Sequence, residues 1–249
     1  MILIPQYRTA RRASGLGLLS NLILSLDLEE ASGDAIDSSG NSYTFTDTNT
    51  VTQTTGETAG YNSRQFTAAN SESFTRAHST TELTIGDNEW AMHCWYYHDN
   101  GTNRSILCKS GSTTISTLAS RSFAILGNTG GLSFRVGEAV AANGDSAATD
   151  AGALSTNSWH SVLCWHDPAA DVVGVKVNSR SAVTAAHAGG VRDGTAAVTV
   201  GSAVTSNYCN GNIAALRVWR GSGVIEQIVN NASAVSFLSG QQRRHSELT

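Results

Sequence analysis

Side chains able to do chemistry are thinly spread in this chain. Hydrolysis of a glycosidic bond needs two carboxyl groups about 5–10 Å apart, one as acid and one as nucleophile or base. The nearest cluster is Asp27, Glu29 and Glu30. Asp27 and Glu29 alternate with the apolar Leu26 and Leu28, which is the pattern of solvent-facing and turn-entry residues. His93, His160 and His166 stand singly on strand-like segments and read as satisfied core or surface residues rather than catalysts. No GxSxG, HExxH, P-loop or GxGxxG pattern occurs. No catalytic residue is assigned, and the chain is expected not to be an enzyme.

Binding chemistry has more candidates. Calcium takes oxygen ligands from loops, and the best placed are Asp34 and Asp37 in SGDAIDSSGN and Asp145 and Asp150 in ANGDSAATDAG. The competing reading is that Asp, Ser and Asn sit in turns because they hydrogen-bond the local backbone. No other cofactor is indicated. Sugar binding needs aromatic platforms beside hydrogen-bonding side chains, and Trp95, Tyr97, Trp165 and Tyr208 are the candidates, against the alternative that strand aromatics pack. The 4 cysteines, Cys94, Cys108, Cys164 and Cys209, form no CxxC pair, which excludes a zinc ribbon. Cys94 and Cys108 are symmetric about Gly101 and could face each other across a hairpin there. The preferred reading is four buried small hydrophobes in a reducing compartment.

These residues must be held by strands. Of 249 residues only 14% are charged, against about 25% in ordinary domains, while Ser and Thr number 57 and Lys only 2. Thr and Val favour strands, and Gly and Asn favour turns. Alternating segments recur at 22–28, 42–46, 89–98, 104–110, 121–126, 131–137, 159–166, 172–178, 196–201 and 213–220. Turn signals separate them at Asn100-Gly101, Asn128-Thr129-Gly130, Asn143-Gly144 and Asn210-Gly211. About ten short strands in one block predict an all-β sandwich or barrel. A short helix is expected over 222–231, with Ser222 as its N-cap. In EWAMHCWYY, Trp90, Met92, Cys94 and Tyr96 share one face, and Ala91, His93, Trp95 and Tyr97 the other. This strand should be central and covered on both sides. Val162, Cys164, Leu216 and Val218 are expected in the core between sheets.

Charge is unevenly placed. The net charge is −4, which disfavours a nucleic-acid partner. No run of 18 apolar residues marks a membrane span. Residues 1–20 nevertheless carry Arg8, Arg11 and Arg12 and no acid. Apolar residues precede basic ones there, the reverse of a secretory signal, so the chain is expected to be made in a cytoplasm. We read residues 1–20 as a docking arm that engages a partner through Ile2, Leu3, Ile4, Tyr7, Arg8, Arg11 and Arg12, residues 21–238 as one domain, and 239–249 as a tail.

The order of motifs resembles the laminin-G-like, concanavalin A-like jelly-roll family. The resemblance is carried by LILSLDLEEASGDAIDSSGN (22–41), GETAGYNSRQFTAANSESFT (56–75), IGDNEWAMHCWYYHDNGTNRSILCKSG (85–111), WHSVLCWHD (159–167) with KVNSR (176–180), and NYCNGNIAALRVWRGSGVIEQI (207–228). It implies an antiparallel two-sheet jelly-roll sandwich with an extended N-terminal arm and one short helix near the C-terminus. Ala214 and Ala215 stand where the family often has an acid pair, and Ser179 replaces a usual Gly, which weakens any carry-over of ligand chemistry.

Arm-plus-jelly-roll chains resemble bacteriophage virion surface proteins, such as head-decoration, fibre or tail proteins. The expected function is therefore structural and adhesive. The arm would contact other virion proteins, the domain would be presented in many copies or as a homo-oligomer at the virion surface, and a host-surface glycan is a further expected partner. The alternative is a free bacterial carbohydrate-binding, lectin-like module. A glycoside hydrolase or lyase of the concanavalin A-like fold is a weaker one.

Overall fold

A computed structural model describes residues 21–78, 83–99, 101, 104–111, 120–139 and 145–231. The arm residues Ile2, Leu3, Ile4, Tyr7, Arg8, Arg11 and Arg12, the tail 239–249 and the Asn143-Gly144 turn lie outside the described residues. So does the Asp145 side chain.

The described chain is all-β and forms two antiparallel sheets. The first contains β1 (Leu22–Leu26), β4 (Thr52–Thr55), β5 (Asn62–Phe66), β7 (Trp90–His98), β12 (Ser158–Asp167), β13 (Val172–Val177), β14 (Val183–Ala186) and β16 (Gly211–Arg220). Its order is β14-β13-β12-β7-β16-β5-β4, and β1 also pairs with β16. The second contains β2 (Ala35–Ile36), β3 (Thr44–Thr48), β6 (Ser73–Arg76), β8 (Arg104–Ser110), β9 (Arg121–Asn128), β10 (Gly131–Gly137), β11 (Asp145–Ala151) and β15 (Val198–Val200). Its order is β11-β10-β9-β8-β15-β6-β3-β2. Every anticipated strand is present, so the expected two-sheet sandwich is found. No helix among the described residues is long and apolar enough to cross a membrane.

Alternation explains the core. Trp90, Met92, Cys94 and Tyr96 of β7 face inward with Val162 and Cys164 of β12 and Leu216 and Val218 of β16, as expected. They meet Leu107, Phe123, Ile125 and Phe134 from the other sheet. Trp90 stacks on Phe134 at 5.5 Å between ring centroids and tilts against Phe123 at 5.4 Å. β7 lies between β12 and β16, and its second face is covered at Ala91, His93 and Trp95 but open at Tyr97. Ala91 packs with Leu163, Trp165, Trp219 and the π-helical turn Ile225–Val229.

Strand β16 changes partner midway. Gly211 to Ile213 pair with β5, and Leu216 to Trp219 pair with β1. A bulge between Ala214 and Arg217 makes the change, with Ala215 at φ 50°. Arg217 fixes it, donating from Nη1 to the Ala215 carbonyl at 3.0 Å and from Nη2 to Asp27 at 3.0 Å. Asp27 is thus the structural partner of a buried guanidinium.

Several local expectations need correction. Cys94 and Cys108 belong to β7 and β8, which lie in opposite sheets, so no hairpin joins them. All four cysteines are free and buried. Burial pushes the Cys108 and Cys209 thiols up to about 12. Asn210-Gly211 is not a turn but the entry to β16. The C-terminal helix is a single π-type turn, and Ser222 does not cap it. Its Ile225 amide donates to the Glu89 carboxylate at 2.9 Å instead.

Candidate functional site

Register builds a site on the outer face of the first sheet. Trp159 of β12 lies opposite Tyr97 of β7, Tyr97 opposite Asn212 of β16, and Asn212 opposite Gln65 of β5. Directly opposed residues share a face. The inward neighbours Tyr96 and Ile213 are core, so this row of four faces outward. Tyr97 and Trp159 meet edge to face, with centroids 5.5 Å apart and planes at 67°. That geometry suits the ring quadrupoles.

The row forms the floor of a cleft of about 570 Å³, completed by Thr55, Gly56, Phe66, Thr67, Asp99, Asn210 and Gly211. Asp99, Asn210 and Thr67 each lie two positions along from a floor residue, so the strand period repeats the same face at the rim. The Asn210 amide donates from Nδ2 to Asp99 and accepts the Ala68 backbone N–H at 3.1 Å, which fixes its orientation. Behind Thr67, Glu72 accepts the Thr67 amide at 2.6 Å and the Asn70 side chain at 2.9 Å. Gly211 has to be glycine. Its φ is 146°, and a Cβ there would lie 2.1 Å from the Tyr97 carbonyl oxygen.

Of the four aromatic candidates, only Tyr97 lines this cleft. Trp95 is 6% exposed, packed with Ala214, Ala215 and Trp159. Trp165 is 5% exposed, and its ring lies over Gly174, where a Cβ would approach to 2.1 Å. Neither offers a face to a sugar. Tyr208 is half-buried and outside the cleft lining; its carbonyl accepts from Arg104 at 3.0 Å. Trp159, Gln65, Asn212, Asp99 and Asn210 were not anticipated as site residues. Alternation alone places each opposite a core position, but only register brings them together.

Three of the four calcium candidates, Asp34, Asp37 and Asp150, have partners within the protein. Asp37 is buried and accepts the amides of Ser25 and Ser39 and the Ser39 hydroxyl at 2.8–2.9 Å. Asp34 accepts the Asp47 amide at 2.9 Å. Asp150 makes a two-point ion pair with Arg180, both contacts at 2.9 Å. Among the described residues no group of three or more His, Cys, Asp or Glu could hold a metal ion.

The strand histidines are buried and hydrogen-bonded. His166 meets the Asn88 carbonyl at 2.8 Å, and His160 meets the Ser155 carbonyl at 3.0 Å and the Asn178 amide at 3.1 Å. His93 meets the Ser161 hydroxyl at 2.9 Å. Burial, with a smaller push from the Arg217 charge, lowers its pKa to about 3. Burial also lowers His98, His166 and His187. A folded pKa below the unfolded value of about 6.5 means that the unfolded chain binds more protons in between. Stability is therefore expected to be level between pH ~6.5 and ~8.5, where unfolded thiols begin to ionise, and to fall as pH drops from ~6.5 toward 3. His93 alone withdraws about 2 kcal/mol by pH 5. Thermal melts across pH check this: H93Q should flatten the decline, and an unchanged slope in that variant would remove His93 from the account.

No protein-family model and no curated protein matches the chain. Solved structures do. A receptor binding domain superposes with TM-score 0.64 over 92% of this chain and 53% of that one, at 10% identity. The binding domain of botulinum neurotoxin serotype D gives TM-score 0.63 over 90% and 52%, at 11% identity. That of botulinum neurotoxin DC, solved in complex with SialylT, gives 0.61 over 91% and 52%, at 11% identity. The chain spans about half the length of these structures. All three are binding domains, and at such identities the likeness is one of fold: this chain is an all-β, jelly-roll-like two-sheet sandwich.

Proposed function

We propose that this chain is a non-enzymatic, carbohydrate-binding β-sandwich module that takes a glycan in the cleft over β12, β7, β16 and β5. The observation that carries the reading is the outward row Trp159–Tyr97–Asn212–Gln65. It sets an apolar aromatic end beside amides that both donate and accept, which matches the apolar face and hydroxyl edge of a sugar ring. The fold neighbours add support, since one was solved with SialylT and another is described with two ganglioside molecules. Among the described lining residues Asp99 is the only acid, whereas glycoside hydrolysis uses two carboxyls. The test is a glycan array with the full chain, followed by titration of the best ligand. W159A and Y97A should each weaken binding about 30-fold or more, the range of a buried aromatic contact. Binding indifferent to both variants would move the site elsewhere.

We further propose that the module is displayed in many copies on a bacteriophage virion, made in the host cytoplasm and held through residues 1–20. The segregation of charge supports this: a chain of net charge −4 places Arg8, Arg11 and Arg12 in a stretch with no acid. Such guanidiniums pair well with acidic partners. Deleting residues 1–19 should abolish incorporation into particles while the sandwich still melts cooperatively. Incorporation at the full level would refute the anchoring role.

A further inference from the structure

Resting on the glycan reading of the cleft, we infer that its ligand is an uncharged pyranose glycan, not a sialylated or otherwise carboxylated one. Among its described lining residues the cleft has one carboxyl group, Asp99, and no Lys, Arg or His. A second carboxylate, Glu72, stands directly behind Thr67 and is 4% exposed. Arg104 is not among the lining residues, and it donates from Nη1 to the Tyr208 carbonyl at 3.0 Å.

The charged group that lines the cleft is therefore a carboxylate, with a second one behind it. A carboxylate accepts hydrogen bonds from sugar hydroxyls strongly. Facing a second carboxylate with no cation between them, it repels, and like charges opposed across an interface are a strong source of discrimination. The Asn210 amide, locked between Asp99 and the Ala68 N–H, holds the Asp99 carboxylate in place. Asn212 and Gln65 complete a neutral polar floor for further hydroxyls. The fold neighbour solved with SialylT thus shares the sandwich without dictating the ligand of this cleft.

The experiment is an array and titration of the full chain against paired probes, neutral oligosaccharides and the same oligosaccharides capped with sialic acid, at low and high salt. The expected result is binding of a neutral probe at least about tenfold tighter than its capped partner, with the gap narrowing as salt screens the carboxylate. D99N should weaken the neutral probe about tenfold or more while narrowing the discrimination, with its thermal melt confirming the fold. Equal or tighter binding of the capped probe, lost in Y97A, would overturn the inference and leave the glycan reading standing. Failure to bind any glycan of either kind would end both.

Discussion

Replacing Arg64 with alanine is expected to cost about 3–5 kcal/mol of stability, lowering the melting temperature by roughly 6–20 °C for a domain of this size. Arg64 is on β5, opposite the core residue Ile213, so its side chain enters the space between the sheets. It is fully buried. Its guanidinium donates to the carbonyls of Glu30 at 3.2 Å, Gly33 at 2.8 Å and Val51 at 2.6 Å. It also pairs with the carboxylates of Glu30 at 3.7 Å and Asp47 at 3.6 Å, and lies 4.8 Å over the Phe74 ring. Alanine would strand three carbonyls and leave the Asp47 carboxylate without its cation. Lysine should recover little, because one ammonium cannot reproduce the planar fork. Urea titration of R64A and R64K measures this; a loss under about 1 kcal/mol would show that the network contributes only what a surface pair does.

Gly211→Ala is the second large effect, expected at about 2–5 kcal/mol from overpacking and backbone strain together. The added methyl would sit 2.1 Å from the Tyr97 carbonyl oxygen, at a φ of 146°. Backbone has to move, and here β7 and β16 carry Tyr97 and Asn212. Ligand affinity should therefore fall with stability, the two being read from one titration and one melt. Gly130→Ala is the control. Its φ of 76° is strained too, but nothing lies within 4 Å of the added atom, so about 1–2 kcal/mol is expected. Equal losses in the two variants would mean that crowding against Tyr97 contributes nothing.

The apolar strands were legible in the sequence because burial on one or both faces writes hydrophobic residues into them. β7, β10, β12 and β16 are of this kind. β2, β4, β5, β6, β11 and β14 were not anticipated. TQTT, NSRQF and SFTR show too few apolar positions to declare a period, and such strands hold their place through neighbours' hydrogen bonds and, in β5, through Arg64. Site residues divide in the same way. Tyr97 could be named from its exposed-side position on an aromatic strand. Trp95 and Trp165 could not be told from it, since the Ala214–Ala215 bulge and the π-helical turn that cover them lie far away in sequence. Gln65, Asn212 and Asp99 have no distinguishing type or motif. What makes them a site is registry between strands, a long-range property.

The offset of one residue between Tyr96 and Tyr97, repeated between Ile213 and Asn212, has an evolutionary consequence. One set of positions answers to packing and the other faces the cleft, and only Trp159, which also covers Trp95, serves both. If the cleft takes a glycan as proposed, ligand choice can change at Tyr97, Asn212 and Gln65 while the same sandwich is kept.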